Sequence, residues 1–212
     1  MNLTTVFTAR KIVVGLLCVL LPALLFYALS VMVLKSSGFS LKEIVRDPAQ
    51  QLGFSSFLGF VSNIGVWLWI SSAAICIYSL VSARFSIADR ASELVVLMAL
   101  LSLLLAVDDF FLLHERYVYQ KGLFLFYAVC ALTILARHFR RIIEIDAFSF
   151  VLAGTLLALS VMIDIGQRKI PLGYGKVQLI EEGCKFAGGA MWLFFCGQLA
   201  AYRARREMDM TT

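Results

Sequence analysis

Charged residues are scarce in this sequence, and histidine and proline are scarcer still. Asp, Glu, Lys and Arg make up 16% of the 212 residues, against about 25% in an average soluble domain. There are two His and three Pro. Hydrophobic residues reach 61%, and the mean hydropathy is +0.87. A soluble chain of this length has too little interior to bury so much apolar surface. The composition therefore excludes a water-soluble enzyme, a disordered protein and a secreted disulfide scaffold, and it leaves a small multi-spanning membrane protein.

Recognisable metal and disulfide motifs are also missing. The five cysteines all lie within or at the edge of apolar runs, and none forms a C-x-x-C pair, so neither a disulfide framework nor a zinc ribbon is indicated. The H-E-x-x-H motif is absent, and two histidines cannot form a three-His zinc site. The net charge of +5 is modest and divided between both predicted membrane faces, so we expect no nucleic-acid partner.

Six apolar runs are long enough to cross a membrane. A spanning helix needs about 20 apolar residues, and these runs are continuous rather than alternating, which favours helices over a transmembrane barrel. The sequence predicts an all-α, polytopic membrane protein, a six-transmembrane-helix bundle forming a single integral membrane domain over residues 1–212. The predicted spans are approximately 12–34, 54–81, 94–113, 122–139, 147–165 and 184–202.

The basic residues of the connecting segments set the expected orientation. With six spans, the side that holds both termini has 10 Lys and Arg residues and the other side has 8. Basic loops favour the cytoplasm, so we predict that both termini are cytoplasmic, in a bacterial plasma (inner) membrane. Membrane lipids are the expected partners. Assembly into a homo-oligomer or into a larger membrane complex is left open.

One predicted connection carries a helix signal. In residues 35–53, Ser40-Leu41-Lys42-Glu43 has the spacing of a capping box, in which the side chains of the first and fourth residues bond each other's backbone N–H groups. The pattern predicts a short helix on the membrane surface.

Acidic residues gather at the ends of three predicted spans. In the six-span topology the third and fifth spans leave the membrane on the extracytoplasmic side and the sixth enters from it. Charged groups near a bilayer are costly and are usually functional or paired. Six carboxylates and one imidazole fall at this face, and we take all seven as candidate metal ligands: Asp108, Asp109, His114, Glu115, Asp164, Glu181 and Glu182.

Helical spacing ranks these candidates. In an unbroken third helix Asp108 and Glu115 share one face, whereas Asp109 and His114 point elsewhere. Asp108 lies deepest and is therefore the residue we most expect to be protonated, metal-bound or paired. Glu181 and Lys185 are spaced to pair on their own helix. The small residues 187–190 let another helix approach closely.

These residue types suit a cation. Carboxylate oxygens suit hard divalent ions, and a mixed carboxylate and imidazole set suits iron, manganese or zinc. We expect a divalent metal ion as cofactor, of unknown identity, in a protein that takes part in ion or proton transport. One alternative is a metal-dependent enzyme acting on a lipid or lipid-linked substrate at the membrane interface. Another is a non-catalytic subunit of a larger membrane complex, in which the cluster is a structural ion-pair network with the nearby Lys and Arg. Whether the protein is an enzyme is left open.

Overall fold

The computed structural model describes residues 13, 15–45, 48–55, 57–82 and 90–211, without the side chains of residues 15, 18, 19, 168 and 205–211. Over these ranges every regular element is helical, as the sequence predicts. By its internal contacts the chain divides into two compact units, Met1–Leu58 and Gly59–Thr212.

The first unit consists of short helices. A π-helical turn, Gly15–Leu20, leads into α1, which is apolar and carries Pro22 in its first turn, where a missing backbone N–H costs nothing. The start of the first predicted span, at residue 12, lies outside the described residues. The capping box is present: Glu43 accepts a hydrogen bond from the backbone N–H of Ser40 (2.8 Å), and the Ser40 hydroxyl accepts one from the backbone N–H of Glu43 (3.3 Å). The helices are α1 (Leu21–Ser36), α2 (Leu41–Val45) and α3 (Pro48–Leu52).

The second unit is built from long helices. Three of its helices are long and apolar enough to cross a membrane: Phe60–Ser82, Arg90–Phe111 and Gln120–Gly166. The helices are α4 (Phe60–Ser82), α5 (Arg90–Phe111), α6 (Leu113–Arg116), α7 (Gln120–Gly166) and α8 (Tyr174–Thr211), with a 3₁₀ turn (Gln167–Lys169) between the last two.

Three boundaries of the predicted spans differ from the helix boundaries in the structure. The second predicted span begins at residue 54, but α4 begins at Phe60, because Gly59 takes a positive φ of 68° that ends the preceding turn. The sixth predicted span begins at residue 184, but α8 begins at Tyr174, so the acidic residues before the span are helical. The third predicted span ends at residue 113, but α5 ends at Phe111.

The fourth and fifth predicted spans both lie in α7, which is broken inside. His138 (φ −114°, ψ 19°) and Asp146 (φ −170°, ψ 85°) leave the helical conformation. Asp146 then caps the second half of the helix, since its Oδ1 accepts a hydrogen bond from the backbone N–H of Ser149 (3.0 Å). The helix has 47 residues, about 70 Å at 1.5 Å per residue, more than twice the roughly 30 Å of a hydrocarbon core. The first break lies at the end of the fourth predicted span, 122–139, and the second lies just before the fifth, 147–165.

The core of the second unit lies where α4, α5, α7 and α8 meet. Trp192 is 2% exposed and packs edge-on against Trp69, with ring centroids 6.5 Å apart. Its indole N–H donates to the Ser102 hydroxyl at 2.9 Å, so the buried nitrogen is satisfied. The outward faces are also apolar: Tyr78 and Phe148 are each 72% exposed. Apolar residues on both the inner and the outer faces are what a helix bundle surrounded by lipid requires.

Candidate metal centre

A left-handed residue ends α5 and brings His114 back to Asp108. Leu112 has φ 54° and ψ 42°, a conformation that is uncommon for residues other than glycine and is found disproportionately at functional sites. The chain reverses there and starts the short helix α6. The assumption of an unbroken helix, with His114 on a different face from Asp108, was therefore wrong: the backbone turn overrides the helical spacing.

Asp108 and His114 form a close pair. The Oδ1 atom of Asp108 accepts two hydrogen bonds from His114, one from the backbone N–H and one from Nδ1 of the ring, both at 2.9 Å. Asp108 is 3% exposed. The hydrogen bond to Asp108 raises the pKa of His114 above its usual value, against an opposing effect of burial. Phe124 packs on the imidazole with ring centroids 5.3 Å apart.

This pairing orients the imidazole. Because Nδ1 is directed at the carboxylate, a metal ion held by both residues would take the place of this hydrogen bond and lie between Nδ1 and Asp108, and Nε2 is the ring nitrogen left for a proton. Glu115 Oε1 lies 3.8 Å from Nε2, on a side chain that is 56% exposed.

Asp109 is held by two other helices. Its Oδ2 accepts a hydrogen bond from the indole N–H of Trp69 on α4 (2.8 Å), and its Oδ1 pairs with the Lys185 ammonium on α8 (2.7 Å). The prediction that Lys185 pairs with Glu181 on its own helix is wrong, because the approach of α8 to α5 brings Lys185 within reach of Asp109, whose side chain is 10% exposed.

Three of the seven predicted ligands are grouped closely enough to hold a metal ion. One donor atom each from Asp108, Asp109 and His114 all lie within 4.8 Å of one another. Two carboxylates and one imidazole are the donor set expected for manganese, iron or zinc. Lys185 stands beside this group and neutralises one of its charges.

The other four candidates lie around this group. Asp164 accepts hydrogen bonds from the side-chain amides of Gln120 (2.5 Å) and Gln167 (3.2 Å). Glu181 accepts one from Gln178 (3.1 Å). Glu182 lines a recess of about 10 Å³ next to Asp109 and Lys185. Glu115 is exposed, whereas Asp164, Glu181 and Glu182 are half-buried, as are Asp109 and His114.

A cavity of about 330 Å³ opens beside the cluster. Five of the seven predicted residues line it, all except Glu115 and Glu182. Trp69, Tyr127 and Ser160 also line it, and no sequence signal identified them as site residues. They sit within long apolar runs, where a Trp, Tyr or Ser most simply indicates packing. Only the spacing of Ser160 and Asp164, four residues apart on one helix face, connects any of them to the acidic cluster.

Comparison with known proteins gives one match. The model of a family described as a domain of unknown function, DUF8692, matches residues 13–199. A comparison with curated proteins returns no match, and neither does a comparison with solved structures. Since the match covers most of the chain, this protein belongs to the DUF8692 family.

Proposed function

We propose that this chain is a six-span protein of a bacterial inner membrane, with both termini in the cytoplasm and the cluster facing the extracytoplasmic side. Support comes from the three helices with the length and apolarity of membrane spans and from the two breaks in α7, which divide it near the boundaries of two predicted spans. The apolar helix α1 and the apolar part of α8 supply the remaining two. Cysteine labelling from either side of sealed vesicles, at Glu115 and Glu144, would test the orientation.

The proposed activity is binding of a divalent metal ion by Asp108, Asp109 and His114. The observation that carries it is the mutual approach of their donor atoms to within 4.8 Å in a part of the bundle where Asp108 is 3% exposed. Ion transport, or proton transfer through the same groups, is the process that such a site would serve.

Metal analysis of the purified protein tests this proposal. We expect close to one equivalent of a transition metal after purification in detergent, and binding of added Mn²⁺ or Zn²⁺ by calorimetry. Asp108→Asn should lower the affinity at least roughly ten-fold, because it replaces a charged ligand with a neutral amide. Glu144→Gln is the matched control, since Glu144 pairs with Arg141 away from the cluster. Absence of metal binding, or equal binding by both variants, contradicts the proposal.

The cavity favours a second candidate, a metal-dependent enzyme acting on a lipid at the membrane interface. Its volume of about 330 Å³ and its contact with the cluster would place a substrate next to a metal-activated water, with a carboxylate as base. Turnover of lipid by the metal-loaded protein, without ion flux in proteoliposomes, would favour the enzyme. Metal-dependent ion flux without lipid turnover would favour transport.

The ion pair between Lys185 and Asp109 favours the third candidate, a non-catalytic subunit of a membrane complex with a structural charge network. In that case, acidic variants would lose thermal stability or fail to assemble, while metal content and ion flux would be absent in the wild type as well.

A further inference from the structure

The cavity beside the cluster changes from polar to apolar along each helix that lines it. On α5 the lining residues run from Asp108 to Leu105 and Leu101, a distance of about 10 Å at 1.5 Å per residue. On α8 they run from Lys185 to Trp192. The polar ends meet at the cluster, and the apolar ends meet in the interior of the bundle. A cavity with this gradient matches a molecule that has a polar head and a hydrocarbon tail.

The second half of α7 shows the same gradient. Its lining residues run from Asp164, at the cluster, through Val161 and Leu157 to Gly154. A Cβ atom added at Gly154 would meet no atom within 4 Å, and Gly154 is exposed, so the cavity is open at this end.

The volume limits the size of the molecule. An engineered apolar cavity of about 150 Å³ holds one benzene ring, so the present cavity of about 330 Å³ has room for roughly a dozen carbon atoms. A lipid with two long chains does not fit, whereas one short chain or the first part of a longer chain does.

Ser160 is the second, independent indication of a ligand. It is 6% exposed and lines the cavity, and within the part of the chain that the structure describes its hydroxyl makes no hydrogen bond. Two other buried serines of the bundle, Ser72 and Ser102, each donate to a backbone carbonyl one helical turn earlier, at 2.8 and 2.7 Å. Among the described residues only the ring nitrogens of His138 are buried polar side-chain atoms without a partner, so the Ser160 oxygen is accessible from the cavity and a polar atom of a ligand can reach it.

The charged residues that line the cavity determine which kind of head group it can bind. Four carboxylates and one ammonium line the cavity, from Asp108, Asp109, Asp164, Glu181 and Lys185. With a divalent ion bound, the four carboxylates face three positive charges, so the lining is close to neutral and offers an anionic head no net attraction. A cationic head would compete with the metal ion for the same oxygens. An uncharged head that carries an oxygen atom meets neither obstacle and can accept a hydrogen bond from Ser160.

We propose that the cavity binds a single-chain amphiphile with an uncharged, oxygen-bearing head group, an alcohol or an ester, whose head lies at the cluster and whose chain lies between α5, α7 and α8. The proposal deepens the proposed function and rests on it, because the choice of an uncharged head assumes that the cluster holds a metal ion.

Tryptophan quenching tests the proposal, because Trp69 and Trp192 line the cavity. The third tryptophan, Trp67, is 62% exposed and is removed as background by Trp67→Phe. The probe is dodecan-1-ol brominated at mid-chain, since bromine quenches tryptophan on contact. We expect saturable quenching of the metal-loaded protein in detergent, tighter than with the equally brominated carboxylate or amine. Quenching that does not saturate, or tighter binding of the charged probes, overturns the proposal.

Cavity variants locate the probe. Gly154→Leu places a side chain in the open end of the cavity and should abolish quenching. Gly197→Leu is the matched control, because Gly197 also has no neighbour within 4 Å of an added Cβ but is not among the residues that line the cavity. Ser160→Ala, which needs no extra space, should weaken binding about five-fold. Equal quenching of the two leucine variants, or unchanged affinity in Ser160→Ala, contradicts the assignment.

Metal content, measured on the same samples, separates the two proposals. If metal binds but the probe does not, the cavity assignment fails and the metal site stands. If the probe binds saturably to a protein that binds no metal, the metal-site proposal is wrong and the assignment of a chain-binding cavity is supported. The preference for an uncharged head group then loses its basis.

Discussion

Asp108 and His114 are six residues apart in sequence, and their side chains are 2.9 Å apart across the turn at Leu112. The same carboxylate oxygen also accepts the backbone N–H of His114. The pair is therefore held by backbone geometry as well as by charge, and substitutions in the turn should disturb it even where they leave both partners in place.

Leu112 offers the first test of this relationship. Its φ of 54° disfavours β-branched side chains and is tolerated by asparagine. We expect Leu112→Ile to lower thermal stability in detergent by about 1–3 kcal/mol and to weaken metal binding, although it keeps an apolar side chain. Leu112→Asn should preserve metal binding. If Leu112→Ile binds metal normally and Leu112→Asn does not, the apolar side chain matters rather than the backbone turn.

Lys185 should compete with the metal ion. Its ammonium is 2.7 Å from Asp109 Oδ1, so Lys185→Met leaves that carboxylate unneutralised. We expect the variant to be less stable without metal by about 1–3 kcal/mol and to bind Mn²⁺ or Zn²⁺ several-fold more tightly by calorimetry. Lys176→Met, at an exposed position of the same helix, should change neither quantity. Weaker metal binding by Lys185→Met would argue that the ammonium organises the site instead of competing.

The contact between α7 and α8 depends on Gly188. A Cβ atom there would lie 2.8 Å from Leu157 Cγ and 3.2 Å from the Leu157 backbone nitrogen, so Gly188→Ala should be destabilising by about 1–3 kcal/mol through overpacking. At Gly189 an added Cβ would meet Leu68 at an ordinary 3.5 Å. Gly189→Ala should therefore be neutral, or stabilising by up to about 1 kcal/mol from helix propensity. Thermal unfolding in detergent measures both, and equal effects would refute the close approach.

Glu43 provides a pH test in the first unit. The hydrogen bonds with the Ser40 hydroxyl and backbone N–H hold the pKa of Glu43 below its usual value. A carboxyl whose pKa is lower in the folded state stabilises its helix fully above the unfolded pKa and loses that contribution as the pH falls through the folded pKa. NMR titration of Glu43 in the full chain should give a midpoint below the usual value of a glutamate, and Ser40→Ala should raise it. A midpoint unaffected by Ser40→Ala would contradict the capping box.

Much of the helical architecture can be predicted from local sequence. The long apolar runs predict long helices because an apolar chain in lipid must satisfy its backbone hydrogen bonds internally. Ser40 and Glu43 predict a helix start because the cap involves residues three apart. Such features depend on neighbours in the chain, and they could be found without tertiary information.

The candidate site could be predicted only in outline. The concentration of carboxylates at the ends of predicted spans identified Asp108, Asp109 and His114, but it also identified Glu115 and Glu182 without separating them from these three residues. Helical spacing predicted that His114 points away from Asp108. The turn that brings them together depends on a left-handed leucine, which no propensity rule predicts.

The sequence by itself determined the composition of the site: scarce charges in an apolar chain must gather where they find partners, because an unpaired charge in lipid is costly. Tertiary structure alone decided the partners. The turn at Leu112 brings His114 into contact with Asp108. The approach of α8 to α5 lets Lys185 pair with Asp109. The packing of α5, α7 and α8 leaves a cavity beside these residues. These contacts link residues on different helices or across a strained turn, and their energies depend on how the helices pack rather than on the spacing of residues along the chain.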